Sequence, residues 1–286
     1  MSKTKPYTLA DFMAQFPDDD ACLEFLFKQR YANIKYCPKC GVVAAKFYRV
    51  NSQRCYACMH CRHQLFPMAG TIFHRSTTSL RTWFIAIFLL SNSRNGIAGV
   101  ELERILGVTH KCAWRIAKQI RSAMKQDTDW LSGICEADEA YWGGSRRSSN
   151  RFKNKTPMLG VLERGGRIRV KVLADHATSY EVAQFLGGTV KAGSTLNTDE
   201  SKLYDRIVKV YDRVMVKHSN YEFVRGDVFT NGLEGFWGRI KPSLKGTHRS
   251  VSRRYLQLYV DEHVWRYNRR GQVLFPLLLE AAVRPL

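Results

Sequence analysis

The chain has 286 residues, 45% of them hydrophobic and 12% aromatic, which is enough to build a core and too apolar for a disordered chain. Lysine and arginine number 45 against 25 aspartate and glutamate, a formal net charge of +20. This excess favours nucleic acid over an anionic membrane as the partner, because phosphate neutralisation rewards basic side chains directly. A basic protein without a polyanionic partner is the alternative.

The N-terminal segment predicts no secretion signal, because residues 8–16 mix polar and apolar side chains. The most apolar run, residues 83–90, is far shorter than the roughly 20 residues of a membrane-spanning helix. We therefore expect a cytoplasmic protein with no membrane partner and with reduced thiols. In that compartment the 8 cysteines favour metal binding over disulfides.

Five cysteines lie between residues 37 and 61 and form C-x2-C pairs. The first pair, residues 37 and 40, is followed by either residues 58 and 61 or residues 55 and 58. The first choice leaves 17 residues between the pairs, inside the 15–20-residue spacing of four-thiolate zinc sites, and the second leaves 14. We therefore predict a zinc ribbon with structural Zn²⁺ and a plain thiol at Cys55. The predicted ligands are Cys37, Cys40, Cys58 and Cys61. Buried cysteines without metal are the alternative.

Three helical patterns follow the cysteines. Residues 80–90 are strongly apolar, residues 97–106 are amphipathic and end at Gly107, and Thr109 is a candidate N-cap for the next helix. A short helix, a tight turn and a basic second helix are typical of a helix-turn-helix. The basic side chains off the apolar stripe are candidate DNA contacts: Lys111, Arg115, Lys118 and Arg121. An ordinary helical hairpin with a solvated basic face is the alternative.

From residue 133 onward the order of predicted elements is β-β-β-α-β-α, which indicates a ribonuclease H-like domain. Asp138 lies in the first strand, Asp199 lies just past a later strand, and Glu234 lies near the start of the last helix. Carboxylates are ligands that Mg²⁺ prefers, and two such ions about 4 Å apart suit phosphodiester chemistry. Three distant acids converging in a basic chain fit that need. Surface acids with no shared role are the alternative.

Several motifs in one order resemble the DDE transposases of prokaryotic insertion sequences, in particular the ISXO-like group with an N-terminal zinc ribbon. The resemblance covers most of the chain, and its motifs are "CPKCG", "GTIFHRS", "AWRIAKQIR", "ADEAYWGG", "NTDESKLY", "RGDVFTNGLEGFWGRIK" and "RYNRR". It implies an enzyme that cleaves DNA at the ends of the element and joins the released 3′-hydroxyl to target DNA. A ribonuclease H-like nuclease without strand transfer and an inactive zinc-ribbon regulator are the alternatives.

Carried over by position, the resemblance implies that Asp138, Asp199 and Glu234 bind two Mg²⁺ or Mn²⁺ ions. It implies that Lys241, two turns after Glu234, contacts DNA near the cleaved phosphate. Asn231 is a rival third ligand, because some members of the group are described with asparagine there. We rank Glu234 first, since a carboxylate binds Mg²⁺ better than an amide.

Two further features bear on DNA contact. Pro242 follows Lys241 and is expected to kink or end the helix, which leaves the direction of the lysine open. The basic stretch of residues 145–155 predicts a phosphate-contacting loop that includes Arg146 and Arg147.

The prediction is therefore an α+β multidomain protein in three parts. Residues 1–70 would form an N-terminal helix and zinc ribbon, residues 71–128 a helix-turn-helix-like DNA-binding segment, and residues 129–286 a ribonuclease H-like catalytic domain with a mixed sheet. The partners would be terminal inverted repeats and target DNA. We expect a homodimer or higher oligomer on DNA, associated with the nucleoid of a prokaryotic cell.

Overall fold

The computed structural model describes residues 5–143, 155–173, 176–215 and 231–285. The chain divides into two compact units, one of residues 1–124 with 271–286 and one of residues 125–270. The predicted division had three parts, with residues 271–286 in the catalytic part. Those residues pack in the first unit instead, while the division of roles stays a prediction. None of the described helices combines the length and apolar character that a membrane crossing requires.

The first unit begins with two short helices and a zinc ribbon. Helix α1 is Leu9–Gln15, α2 is Asp19–Tyr31, and the antiparallel ribbon consists of β1 Phe47–Val50, β2 Cys55–Cys58 and β3 Gln64–Leu65. Thr8 and Asp18 accept backbone N–H groups at the starts of α1 and α2. Arg30 of α2 ties the helix to the segment after β3, because it donates to three backbone carbonyls there.

The remaining helices of this unit include the predicted helix-turn-helix pair. They are α3 Leu80–Asn92, α4 Gly99–Leu106, α5 His110–Ala123 and α9 Leu274–Val283. Gly107 ends α4 in the left-handed conformation, with φ of 63°, where glycine has no Cβ penalty. Thr109 caps α5, since its hydroxyl accepts the N–H of Cys112. The apolar stripe of α5 is buried, as its spacing predicts.

The second unit is built on a five-stranded mixed sheet with the order β6-β5-β4-β7-β8. Its elements are β4 Ile134–Gly143, β5 Lys155–Glu163, β6 Ile168–Val172, α6 Ser179–Gly187, β7 Thr195–Thr198, a 3₁₀ turn Lys202–Ile207 and β8 Asp212–Met215. Strand β5 pairs antiparallel with both β4 and β6, whereas β7 and β8 run parallel to β4. This is a ribonuclease H-like arrangement and confirms the predicted fold class. Strand β8 was not among the predicted elements.

Helices α7 Asn231–His248 and α8 Arg253–Asn268 complete this unit. Their apolar faces share one core with β4, β5 and β6, and residues of α6 share a second core with β4, β5 and β7. Helix α7 does not end at Pro242, as the sequence analysis allowed, but continues to His248. Burial of Ser243 and Leu244 after the proline favours the continued helix, and the carbonyl that proline leaves unpaired belongs to the exposed Gly238.

Strand β6 lies at one end of the sheet, and side-chain amides cover its outer edge. The backbone N–H groups of Ile168, Val170 and Val172 donate to the side-chain carbonyls of Asn268, Gln126 and Gln257, respectively. All three amides also donate back to β6 carbonyls. Because an uncovered edge can pair with another chain, these amides protect the sheet from edge-to-edge association.

Candidate functional site

Four ribbon cysteines converge in the first unit: Cys37, Cys40, Cys58 and Cys61. Their Sγ atoms all lie within 4.8 Å of one another. The Sγ atoms of Cys37 and Cys61 are 3.6 Å apart, close to the roughly 3.8 Å that a tetrahedral ion with Zn–S bonds near 2.3 Å requires. The backbone N–H of Cys40 lowers the pKa of Cys37 to about 6, which favours the thiolate. Cys55 lies outside the cluster, with Gln53 as its partner. The four thiols therefore fit a structural Zn²⁺.

Two of the arginines predicted to contact DNA are engaged inside the first unit. Arg121 is 3% exposed and donates to the carbonyl of Ile97. This position corrects the prediction for Arg121, because a buried guanidinium cannot reach a phosphate. Arg115 donates to Thr78 at 3.2 Å and lies 5.7 Å from the ring centroid of Trp83. Its guanidinium is thus partly occupied by intramolecular contacts.

Two lysines of the same helix are better placed for a polyanion. Lys111 is exposed, and Lys118 lies with its ammonium 5.4 Å from the ring centroid of Trp114 on a half-buried face. Arg146 and Arg147 lie outside the described residues. The DNA-contact role of all four stays a prediction.

In the second unit, strand pairing brings the two predicted aspartates together. Glu136 of β4 pairs with Asn197 of β7 in parallel register. Asp199 follows β7 directly, so continuing that register by two residues puts it alongside Asp138, and neighbouring strands lie about 4.8 Å apart. Side chains two residues apart in a strand share a face, so Asp138 points to the same side as Glu136.

The environment of Asp138 is crowded with negative charge. Burial raises its pKa to about 7, and the charges of Glu139, Asp199 and Glu234 add to the shift. Asp138 is thus the acid whose pKa responds to the charges of both other predicted ligands. A carboxyl in such surroundings gains from a bound cation, because positive charge offsets the mutual repulsion.

Helix α7 presents three side chains toward this strand. Glu234 is exposed in the first turn, Trp237 follows three residues later and Lys241 follows four residues after that. The indole Nε1 of Trp237 donates to Oδ2 of Asp138 at 3.1 Å. Burial lowers the pKa of Lys241, and the negative charge of Asp138 opposes that shift. Asn231, the rival third ligand, is exposed where α7 begins.

Glu136 anchors the start of α7. Its side chain is buried, and its Oε2 accepts the backbone N–H of Leu233 at 3.0 Å, while the N–H of Gly232 also bonds to the carboxylate. A carboxylate at a helix N-terminus satisfies free N–H groups and complements the helix dipole. This anchor fixes the turn that carries Glu234. The alternation of β4 put Glu136 on the face of Asp138, but no sequence signal assigned it to α7.

Gly160 of β5 lets α7 approach the sheet. It pairs with Asp138, and a Cβ at this position would lie 2.7 Å from Cζ2 of Trp237 and 3.0 Å from Cδ1 of Leu233. Side chains of α7 therefore occupy the space that a side chain at position 160 would need. The strand glycine is a packing requirement of the site.

Gly160→Ala should displace α7 from β4. We expect a loss of about 1–3 kcal/mol in the free energy of unfolding, typical of overpacking, measured by urea denaturation. Gly238→Ala is the matched control, because a Cβ there meets nothing within 4 Å and alanine favours a helix. A variant at Gly160 as stable as the wild-type protein would show that the close approach is unnecessary.

Arg213 of β8 holds the turn that carries Asp199. Its side chain is 4% exposed and stacks 5.6 Å from the ring centroid of Tyr204. Its acceptors are Thr198 Oγ1 at 3.0 Å, Asp205 Oδ1 at 2.9 Å, the Asp199 carbonyl at 3.1 Å and the Ser201 carbonyl at 3.0 Å. One planar guanidinium thus fixes the backbone on both sides of Asp199. Tyr204 extends the network, because its hydroxyl donates to Glu139 at 2.8 Å.

Arg213→Lys should loosen this turn although it keeps the charge. Lysine offers a single nitrogen and cannot reproduce the divergent hydrogen bonds, so buried acceptors lose their donors. We expect a loss of about 1–3 kcal/mol in the free energy of unfolding. Arg206→Lys, an exposed arginine of the same turn, should change stability by less than about 0.5 kcal/mol. Equal effects of the two variants would contradict the assigned role.

The acids differ from the cysteines in compactness. Within residues 5–143, 155–173, 176–215 and 231–285, one group of three or more metal-ligand side chains has all its donor atoms within 4.8 Å of one another. That group is the four cysteines. The three acids therefore do not form a site for one ion. A pair of ions about 4 Å apart, with ligand bonds near 2.1 Å, spans outer oxygens up to about 8 Å apart. The all-oxygen donor set fits hard divalent cations of this kind.

Comparison with known proteins assigns the family. The sequence profile of the ISXO2-like transposase domain matches residues 130–268, and that of the transposase zinc-ribbon domain matches residues 17–64. The chain belongs to the zinc-ribbon ISXO2-like transposases. The transposase profile covers the three predicted acids and all of α7 and α8, and the zinc-ribbon profile covers the four converging cysteines.

One relative of this transposase spans nearly the same length. It is an uncharacterized protein in transposable element ISH50 of Halobacterium salinarum, 26% identical over 94% of this chain and 98% of the relative. Most of the chain therefore has a counterpart in a protein of a transposable element.

Solved structures show only distant likeness to the transposase. A simian T-cell lymphotropic virus intasome in complex with PP2A regulatory subunit B56 gamma is 12% identical, with a TM-score of 0.33 over 64% of this chain and 70% of that chain. The Mos1 strand transfer complex is 11% identical, with a TM-score of 0.30 over 69% and 75%. The family assignment rests on the profiles and not on these structures.

Proposed function

We propose that this chain cleaves DNA at the ends of an insertion sequence and joins the released 3′-hydroxyl to target DNA. The observation that carries the proposal is the convergence at β4. The register of β4 with β7 supports a position of Asp199 near Asp138, and α7, which bonds to Asp138 through Trp237, carries Glu234 and Lys241. Both steps are displacements at a phosphodiester, so one site can serve both.

The acids would hold two Mg²⁺ or Mn²⁺ ions, which when bound supply activation of the attacking oxygen and stabilisation of the leaving oxygen. Asp138 of β4 would hold the ions together with Asp199, just after β7, and Glu234 of α7. Lys241 would contact a phosphate of the cleaved strand, since its half-buried side chain lies on the same helix as Trp237, which bonds to Asp138. Asn231 is the alternative to Glu234 as third ligand.

DNA is the proposed partner on two grounds. The net charge of +20 favours a polyanion, and the zinc ribbon and the α4–α5 helix pair are modules that dock on nucleic acid. We infer that these modules recognise the terminal inverted repeats. Because two element ends must be brought together, we expect at least a dimer on DNA, acting at the nucleoid.

The test is incubation of the purified protein with a labelled element end, a target plasmid and Mg²⁺. The expected products are a cut that leaves a 3′-hydroxyl at the end of the element and a joined end–target molecule. Cutting without joining would instead identify a nuclease. Binding without cutting, in Mg²⁺ and in Mn²⁺, would identify a DNA-binding regulator and overturn the proposal.

A further inference from the structure

The hydrogen bond of the Trp237 indole has an unexpected acceptor for a residue on the apolar face of a helix. It is 5% exposed and packs in the core with Phe236 and Leu233. A buried indole N–H needs an acceptor, and many carbonyls could serve. Here the acceptor is Oδ2 of Asp138, one of the proposed metal ligands.

The geometry around this bond leaves little freedom. Gly160, opposite Asp138 on β5, provides the space for the ring, and Glu136 holds the first turn of α7 in place. The indole is thus fixed by packing on one side and by the helix anchor on the other. Its N–H occupies one oxygen of Asp138, which restricts the rotation of the carboxylate and leaves Oδ1 to face other groups.

We propose that Trp237 is a positioning residue that orients the carboxylate of Asp138 for divalent-cation binding and couples β4 to the helix carrying Glu234 and Lys241. This inference rests on the proposed function, because it assumes that Asp138 is a ligand. Hydrogen-bonded groups behind a metal ligand typically change metal affinity about 10–100-fold when removed. The role differs from that of a packing residue, for which only the ring volume would matter.

Trp237→Phe removes the N–H and keeps an aromatic ring. Trp142→Phe is the matched control, because the indole of Trp142 donates at 3.3 Å to the backbone carbonyl of Val251 and not to an acid. Both variants lose the same atoms in the same unit, and both should lower the free energy of unfolding. Mn²⁺ affinity would be measured by calorimetry at pH 8, above the pKa of about 7 of Asp138.

We expect Trp237→Phe to weaken Mn²⁺ binding about tenfold or more, and Trp142→Phe to leave it within about twofold of the wild-type value. DNA affinity without divalent ions should be unchanged in both. Unchanged or tighter Mn²⁺ binding in Trp237→Phe would overturn the inference, as would equal weakening in the two variants.

Asp199→Asn separates this failure from failure of the proposed function. If Asp199→Asn abolishes Mn²⁺ binding and Trp237→Phe binds like the wild-type protein, the site stands and the role of Trp237 is wrong. If the wild-type protein binds no Mn²⁺, with or without DNA, both are wrong.

A second measurement uses the unaltered protein, in case Trp237→Phe folds poorly. The chain has 6 tryptophans, so ¹⁵N labelling gives six indole N–H signals. Addition of Mg²⁺ should shift the signal of Trp237 more than that of Trp142, because the charge on its acceptor changes. A Trp237 signal that shifts no more than that of Trp142 would overturn the inference.

Discussion

Asp199→Asn is expected to lower Mg²⁺-dependent cleavage of an element end by about 10³-fold or more. The amide is neutral and binds Mg²⁺ poorly, and a loss of about 4 kcal/mol of transition-state stabilisation corresponds to a factor of that size. The fold should tolerate the change. Asparagine has the shape of aspartate, and its side-chain oxygen can still accept the N–H of Ser201, which Asp199 Oδ1 accepts at 3.0 Å.

The measurement is a single-turnover cleavage assay, with DNA affinity determined separately in the absence of divalent ions. DNA affinity should stay within about threefold, because the change lies among acids and not among phosphate-binding lysines. Glu200→Gln is the control, since it removes a negative charge from the next residue, which is exposed. Cleavage that survives Asp199→Asn, or fails equally in Glu200→Gln, would remove Asp199 from the proposed site.

The parts that the sequence made predictable depend on short spacing or on regular alternation. Two C-x2-C pairs at the right separation identify four thiols, because the short spacing within each pair lets both of its sulfurs bind the same ion. Hydrophobic periodicity located α5 and most strands of the mixed sheet within a few residues. That order of elements predicted Asp138 in the first strand and Asp199 just past a later strand, whereas the pairing of those two strands comes from the structure.

The residues that the sequence did not reveal act through contacts distant along the chain. Trp237 continues the apolar stripe of α7, and that pattern correctly predicts a ring in the core. The pattern gives no information about the acceptor of the indole N–H. Arg213 lies on β8, a four-residue strand with no clear alternation, and its role requires knowing where the Asp199 turn lies. Nothing in the local sequence connects either residue with an acid.

Arg121 illustrates the opposite error, in which a local pattern suggested too much. A basic side chain on the second helix of a helix-turn-helix is a reasonable DNA contact. In the structure, Arg121 is buried and donates to a carbonyl between α3 and α4. Arginine is well suited to satisfy buried carbonyls, so charge alone does not separate a phosphate contact from an internal support.

Removal of the zinc ion is expected to unfold the ribbon. Its strands have only four, four and two residues, and so small a ribbon cannot bury enough apolar surface to fold without its metal. Zinc binding to comparable peptides contributes about 10–16 kcal/mol, so loss of one ligand should be decisive. The expected results are a lower melting temperature and protease cleavage within residues 37–65.

Cys61→Ser against Cys55→Ser tests which cysteines bind the ion. Cys61 belongs to the converging set, whereas Cys55, a member of the alternative pair, lies outside that set and donates to Gln53. Elemental analysis should find about one zinc per chain in Cys55→Ser, and reduced zinc with cleavage in the ribbon for Cys61→Ser. The reverse result would select the pair at residues 55 and 58. Full zinc in both variants would contradict a four-thiolate site, because neither pairing can lose a ligand without weakening the tetrahedral coordination.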